Sequence, residues 1–463
     1  MSRSRPRCAC LALLLLWPPA ASAPSVLEPP DARVAALVDE IAAQFVAQSQ
    51  NQALEGGPGE KRVLSARKRY SSEISPLWTD QSRPTDSCSF ERPADGRAPR
   101  IPNLVHWAWR SGDADWVLAM SVAFASVVLR PDRLLVHTGP VHSDLDRTYT
   151  TPATDDGRRA LQCIEAAGAT EVRHASEPSP LGAGRHPWES ILRGARRGHG
   201  KLTKGQFAHI SDVMRLHTLV EWGGIYLDRD AFVHRPLDHY RWTYRAALGV
   251  DPRTYENDVD ANFGTIMGEP NSTYFRLLWD GMGAPAYAKA RELLPPASTM
   301  RLSSPAPPLS LSSFRYENTS YRVTWGGWAH DSCRKSFALA VKRPDLVHLD
   351  ERLYQYPFPG GGRLAPKTNN GKIDGPFLAN TRTHEVLHMS GFGWHSLRDA
   401  QLKWEPSIFG EVVWPNILEA AARPPAIAPA LRECLDWFEQ TLIDKGYMKA
   451  PSEYPEKNNL PHC

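Results

Sequence analysis

The pair most able to do chemistry is Asp228 and Asp230, separated by one residue in Ser211–Asp238 (SDVMRLHTLVEWGGIYLDRDAFVHRPLD). Residues two apart on a strand point the same way. Both carboxylates can therefore aim at one point where a sheet strand ends, and clefts in open α/β sheets lie at strand ends. Two hard oxygen ligands at one point suit Mg²⁺ or Mn²⁺, which can bridge a diphosphate and neutralise it as it leaves. Upstream, Asp212 and Arg215 are three apart, so on a helix they share a face. An isolated Asp-x-Asp also describes a solvated acidic turn, and only its context gives it weight.

A second constellation competes. His384-Glu385-Val386-Leu387-His388 spells HExxH, the zinc-protease helix signature. On a helix the two His would bind Zn²⁺, with Glu385 as general base. Gly391 and Gly393 would close such a helix early. An extended metzincin pattern would need His where Trp394 stands.

The elements that must position these groups read as follows. Ile101–Trp109 is strand-like, Trp116–Leu129 helix-like and closed by Pro131, and Leu134–His137 a short strand. Arg158–Ala167 is a helix stopped by Gly168, and Thr170–His174 another strand. Phe207–Trp222 is a helix stopped by Gly223-Gly224, after which Ile225–Leu227 enters the sheet. Strands alternating with helices predict an α/β domain with a mostly parallel sheet. Pro295–Ser313 reads as a surface insertion. No repeat is visible. The division expected is 1–22 signal peptide, 23–98 stem or linker with an amphipathic helix over Asp31–Gln52, 99–400 catalytic domain, and 401–463 a tail with one helix, Ala430–Ile443.

The 463 residues, 42% of them hydrophobic, suffice for large cores and exclude a disordered chain. The net charge of +3 is matched by Arg3, Arg5 and Arg7 alone. The remainder is neutral, which argues against nucleic acid as a partner. Those arginines precede an apolar run, Cys8–Trp17, and then small residues: the layout of a secretory signal. The run is about half the length a bilayer requires, which favours cleavage over a short signal anchor. Cys88, Cys163, Cys333, Cys434 and Cys463 would follow the cleavage point with no CxxC pair, so a thiolate zinc site is disfavoured and up to two disulfides are expected, their connectivity open. Asn271-Ser-Thr and Asn318-Thr-Ser are glycosylation sequons, meaningful only in the secretory pathway.

The central segment resembles the DXD sugar transferases of glycosyltransferase family 32, which include fungal Golgi mannosyltransferases and animal α1,4-linking sugar transferases. Ser211, Asp212, Arg215, Leu219, Gly223, Gly224, Tyr226, Asp228 and Asp230 match the family pattern S-D-x-x-R, L, G-G-x-Y-x-D-x-D. Ile101, Pro102, His106 and Trp109 match an upstream block, and His388 followed by Trp394 matches a downstream one. The chain departs at Gly393, where relatives usually carry Ser.

The resemblance implies a GT-A-like fold that binds a nucleotide-sugar donor, a UDP-sugar or GDP-mannose. Asp228, Asp230 and His388 would hold Mn²⁺ (or Mg²⁺). Asp212 and Arg215 would hydrogen-bond the donor sugar. Trp109 would lie against the base and Trp394 would touch the phosphate. Tyr226 would belong to the donor site, and Asn262 would face substrate. The activity expected is transfer of a hexose or N-acetylhexosamine to a glycan or glycoprotein acceptor, with retention. The setting expected is the Golgi lumen, soluble or held by the N-terminal anchor, with secretion as the other outcome. The alternatives are an inactive glycan-binding module of the same fold and a secreted HExxH protease.

Overall fold

The computed structural model describes residues 88, 90–109, 112–138, 152–174, 204–251, 260–281, 300–302, 313–316, 322–324, 336, 339–340, 346–353, 384–388 and 409–450. The proposed signal segment, the helix over Asp31–Gln52, Asn318 and Trp394 lie outside these residues.

In chain order the elements are β1 (Leu104–Trp109), α1 (Trp116–Leu129), β2 (Arg133–Thr138), α2 (Asp155–Ala166), β3 (Ala169–Arg173), α3 (Lys204–Trp222), β4 (Gly224–Leu227), β5 (Ala231–Val233), α4 (Asp238–Thr243), β6 (Ala246–Asp251), β7 (Asp260–Gly268) and α5 (Thr273–Gly281). Then follow β8 (Met300–Leu302), β9 (Ser313–Tyr316), β10 (Arg322–Thr324), β11 (His348–Asp350), β12 (Val386–His388), α6 (Trp414–Ala422) and α7 (Pro429–Asp444). The main sheet has seven strands in the order β11-β6-β7-β4-β1-β2-β3. All its pairings are parallel except the two made by β7, so β7 alone runs against the rest. This is the mostly parallel α/β sheet expected from the sequence. β5 and β12 form a separate two-stranded sheet, and β8 to β10 a three-stranded one.

Local chemistry explains the boundaries. Asp115 caps α1 by accepting from the Leu118 N–H, and Thr154 caps α2 by accepting from the Gly157 N–H. Asp155 and Asp156 complement the positive end of α2. α1 is buried on nearly every side, as its sequence, apolar but for Ser121 and Ser126, requires. α3 ends at two glycines with φ of 65° and 103°. A Cβ on Gly224 would stand 2.6 Å from the Leu104 carbonyl oxygen, so only glycine lets β4 approach β1 here.

The sheet separates two cores. Ile225 and Leu227 of β4 face one core with α1, α6 and α7, while Tyr226 faces the other with α3 and α5. Residues 409–448, read from the sequence as part of a tail with one helix, carry two helices and supply Phe409, Trp414, Leu435 and Phe438 to the first core. Cys434 on α7 is disulfide-bonded to Cys163 on α2, with Cα atoms 5.5 Å apart, across 271 residues of sequence. Closing so long a loop restricts the unfolded chain, an entropic effect of at most about 5 kcal/mol.

On the α3 face a row of histidines crosses three strands. His106 Nε2 lies 2.9 Å from the Gly223 carbonyl, His106 Nδ1 lies 3.0 Å from His137 Nε2, and His137 Nδ1 lies 2.9 Å from His174 Nε2. A carbonyl only accepts, so His106 must donate from Nε2 and accept at Nδ1. The same polarity then passes along the row: His174 donates to His137, and His137 to His106. The arrangement requires His106 and His137 to be neutral, since each accepts at one ring nitrogen. Burial pushes His106 down to about 3, with the Gly223 hydrogen bond opposing and Arg133 assisting. Burial together with the neighbouring histidines pushes His137 down to about 2. Burial and Arg235 likewise push His234 to about 3.

These depressions link folding to pH. The unfolded chain takes up protons on these side chains from about pH 6.5 downward, whereas the folded chain holds them neutral until about pH 3. Their contribution is complete above pH 6.5 and is lost as pH falls toward 3. The denaturation midpoint is therefore expected to drop between pH 7 and pH 5, each group contributing up to about 1.4 kcal/mol per pH unit. A midpoint constant over that range would contradict the reading.

Candidate metal and donor site

The site lies at the C-terminal end of β4. Strand order ends at Leu227, and Asp228-Arg229-Asp230 forms a turn closed by the Ala231 N–H on the Asp228 carbonyl, 3.0 Å. The two carboxylates therefore converge through a turn and not through strand alternation, which corrects the geometric argument from sequence. Arg229 leaves the turn in another direction and pairs with Asp115, the cap of α1.

The third member comes from far along the chain. β12 pairs antiparallel with β5, with His388 opposite Ala231. His388 Nε2 stands 3.5 Å from Asp228 Oδ2 and 3.5 Å from Asp230 Oδ1. One ligand atom from each of the three lies within 4.8 Å of the others. Two carboxylate oxygens and one imidazole nitrogen form a donor set suited to Mn²⁺, and the surplus of negative charge fits a dication. Burial opposes the charged form of His388, but Asp230 and Asp228 outweigh it and hold the imidazole above its ordinary value.

Arg215 governs Asp228. Its Nη2 lies 2.9 Å from Asp228 Oδ1 and 3.2 Å from Asp212 Oδ1. The guanidinium also donates to the Phe263 carbonyl and to Ser211, and it sits 4.6 Å above the Tyr226 ring. Every nitrogen of the side chain is thus engaged. Burial works to raise Asp228, yet Arg215, His388 and Tyr226 outweigh it and keep the carboxyl below the usual range. The Tyr226 hydroxyl bonds Asp228 Oδ1 at 3.2 Å and Ser211 Oγ at 3.0 Å. Burial pushes that phenol above its ordinary value.

A bulge on β7 completes the support. Between Leu248 and Gly249 of β6 the pairing jumps from Ile266 to Asn262, which leaves Phe263 to Thr265 without partners on that side. Bulges re-aim backbone groups. Here the Phe263 carbonyl turns to Arg215, and the Gly264 carbonyl accepts the Asp228 N–H at 2.8 Å.

Of the residues predicted from sequence, the structure brings together Asp212, Arg215, Asp228, Asp230 and His388. Tyr226 is 2% exposed and stands behind Asp228, against Ser211 and Arg215. Trp109, at the same end of the sheet on β1, is 5% exposed and donates its indole N–H to the Gly112 carbonyl. Asn262 lies beside His388 and accepts the Gly264 N–H at 2.6 Å. The sequence reading missed Ser211 as a support of Arg215, the Arg229–Asp115 pair, and Gly264. A glycine inside a strand pattern does signal a bulge or a close approach, so Ala261-Asn-Phe-Gly264 carried a legible cue for the last.

The HExxH reading is corrected. Residues 386–388 form a strand, and Glu385 is wholly buried, paired with Arg352 at 3.1 Å and accepting from the Tyr240 hydroxyl at 3.2 Å. No helix places His384 and His388 on one face, and Glu385 is locked in a structural network. Among the described residues the one cluster able to hold a metal is Asp228, Asp230 and His388.

Residues 189–247 match the family described as "glycosyltransferase sugar-binding region containing DXD motif". The match spans Asp212, Arg215, Tyr226, Asp228 and Asp230, and it supports a sugar transferase. No curated protein matches the chain. Among solved structures, the PaToxG glycosyltransferase is 14% identical over 52% of this chain and 80% of that one, with a TM-score of 0.28. An active-site mutant of LgtC is 11% identical over 72% and 100%, at 0.30. The glycosyltransferase GlyE of Streptococcus pneumoniae TIGR4 is 9% identical over 74% and 64%, also at 0.30. Superpositions this loose establish no correspondence of site residues.

Loss of the clamp should be selective. Arg215→Met is expected to weaken Mn²⁺ binding about tenfold or more, by analogy with groups that orient metal ligands. It should also lift Asp228 toward the ordinary carboxylate range, so that the weakening is greatest at low pH. Manganese titration at pH 4.5 and pH 7.5 reads both effects; equal affinity in variant and parent would contradict the assignment.

Proposed function

We propose that this protein is a metal-dependent glycosyltransferase that moves a sugar from a nucleotide-diphosphate donor, a UDP-sugar or GDP-mannose, to a glycan or glycoprotein acceptor. The observation that carries the reading is the convergence of Asp228, Asp230 and His388 at a strand end, within the block that matches the DXD family.

In this reading Asp228, Asp230 and His388 hold Mn²⁺ or Mg²⁺. When bound, the ion supplies the positive charge that stabilises the departing diphosphate. Arg215 keeps Asp228 ionised and oriented before any ligand arrives, so little reorganisation is left for the reaction itself. Asp212 binds hydroxyls of the donor sugar in this reading, as the resemblance implies. Trp109 lies against the nucleotide base, Asn262 faces substrate and Trp394 touches the phosphate, as the resemblance implies.

Retention is proposed from the family resemblance, and the residues present then decide how it would be achieved. Asp228 and Asp230 are metal ligands, and Asp212 is buried against Arg215, which makes it a poor nucleophile. The acceptor hydroxyl therefore attacks from the face the diphosphate leaves, and its proton passes to the leaving phosphate oxygen.

The secretory setting is part of the proposal. The Cys163–Cys434 disulfide suits an oxidising lumen. Asn271 of the first sequon is exposed on a turn with φ of 56°, at the opposite end of β4 from the metal site, so a glycan there would leave the cleft clear. Among the described residues no helix is long and apolar enough to cross a membrane. The reading places the chain in the Golgi lumen, soluble or held by its N-terminal segment.

Donor hydrolysis tests the function without a known acceptor. One donor from a panel of UDP- and GDP-sugars should be cleaved with Mn²⁺ and not with EDTA, and Asp230→Ala should cost about two orders of magnitude or more. Glycan binding without cleavage of any donor, unchanged in Asp230→Ala, would favour a binding module instead.

A further inference from the structure

The side chain that Gly264 lacks would occupy the space now filled by the His388 imidazole. A Cβ at position 264 would stand 2.6 Å from both His388 Cδ2 and His388 Nε2, and 2.7 Å from Asn262 Oδ1. Real Cβ contacts are not that short, so something would have to move. The backbone at Gly264 is not in the left-handed region, and its N–H and carbonyl are both engaged, by Asn262 Oδ1 and the Asp228 N–H. Conformational freedom is thus not what position 264 needs; room is.

We propose that Gly264 is a positioning residue for the metal site: its bare Cα sets where the His388 imidazole rests, and its carbonyl sets where Asp228 begins its turn. This inference rests on the reading of Asp228, Asp230 and His388 as metal ligands. Three observations carry it. The antiparallel β4–β7 register, with Leu227 opposite Thr265, puts the Gly264 backbone groups on the Asp228 side. Its carbonyl is the acceptor that fixes the Asp228 N–H. The three atoms nearest the missing methyl belong to the His388 ring edge and the Asn262 side-chain oxygen.

The consequence differs from that of an ordinary core glycine. The three atoms nearest a methyl here are all at the ends of side chains. The fold can yield cheaply by rotating His388, but that rotation removes a metal ligand. Substitution here should therefore spare stability and damage metal binding.

A double-mutant cycle reads this contact directly. Mn²⁺ affinity is measured by electron paramagnetic resonance of the free ion for the parent, Gly264→Ala, His388→Ala and the double variant, with circular dichroism and thermal midpoints alongside. Gly264→Ala should keep its helix content and lose at least tenfold in affinity. His388→Ala should lose a similar factor, and the double variant should be no weaker than His388→Ala alone. If Gly264→Ala fails to fold, recovery of the fold in the His388→Ala background reports the same collision. Parent-like affinity in Gly264→Ala, or losses that multiply in the double variant, would overturn the inference and leave the metal site standing. A parent protein that binds no Mn²⁺ would instead overturn the reading on which it rests.

Discussion

Everything at this site depends on keeping like charges together in a place largely cut off from water. Asp212 and Asp230 are nearly buried, and Asp228 shares their corner. Carboxylates so placed repel one another and would take up protons unless something opposed it. Arg215 is the opposing charge: one guanidinium reaches Asp212 and Asp228, and its remaining donors are fixed by Ser211 and the Phe263 carbonyl. Buried ion pairs are weak contributors to stability. Their presence here is better understood as the cost of holding ionised ligands ready for a cation. The bulge in β7 serves the same need: it leaves Phe263 unpaired with β6 and frees its carbonyl for Arg215, while the Gly264 carbonyl continues the β4 pairing to Asp228.

Much of the fold was legible in the sequence where one physical signal dominated. Trp116–Leu129 is apolar but for Ser121 and Ser126 and is bounded by Asp115 and Pro131, and its helix has those limits. Gly223-Gly224 marked the stop of α3 because no other residue tolerates the approach of β4 to β1. The strand carrying Ile225 to Leu227 was legible for the same reason. The C-terminal region was read less well. Phe409 to Trp414 lack a clean helical period, and nothing local announces that they fill the first core beside α1. Their role is set by tertiary packing and by Cys434 meeting Cys163, a pairing that spacing alone leaves open.

The site was legible in composition but not in mechanism of assembly. Asp228 and Asp230 were singled out for an alternation that the chain does not use; a turn, sealed by the Ala231 N–H, brings them together. His388 was reachable through resemblance, yet the same residues spell a zinc signature. Pattern alone does not separate the two readings. The three-dimensional context does, because a strand cannot stack residues four apart and because Glu385 is enclosed by Arg352 and Tyr240. Arg215 was expected to meet the donor sugar. The structure instead shows its nitrogens engaged by protein groups, which makes its first duty the positioning of Asp228.

The central claim is that residues from β12 and from the turn after β4 form one metal centre. Pulsed electron paramagnetic resonance of protein-bound Mn²⁺ tests it most directly, since it detects nitrogen coupled to the ion. The account predicts nitrogen modulation of imidazole type in the parent, absent in His388→Ala. Bound Mn²⁺ with no nitrogen coupling, or with coupling unchanged in His388→Ala, would contradict it.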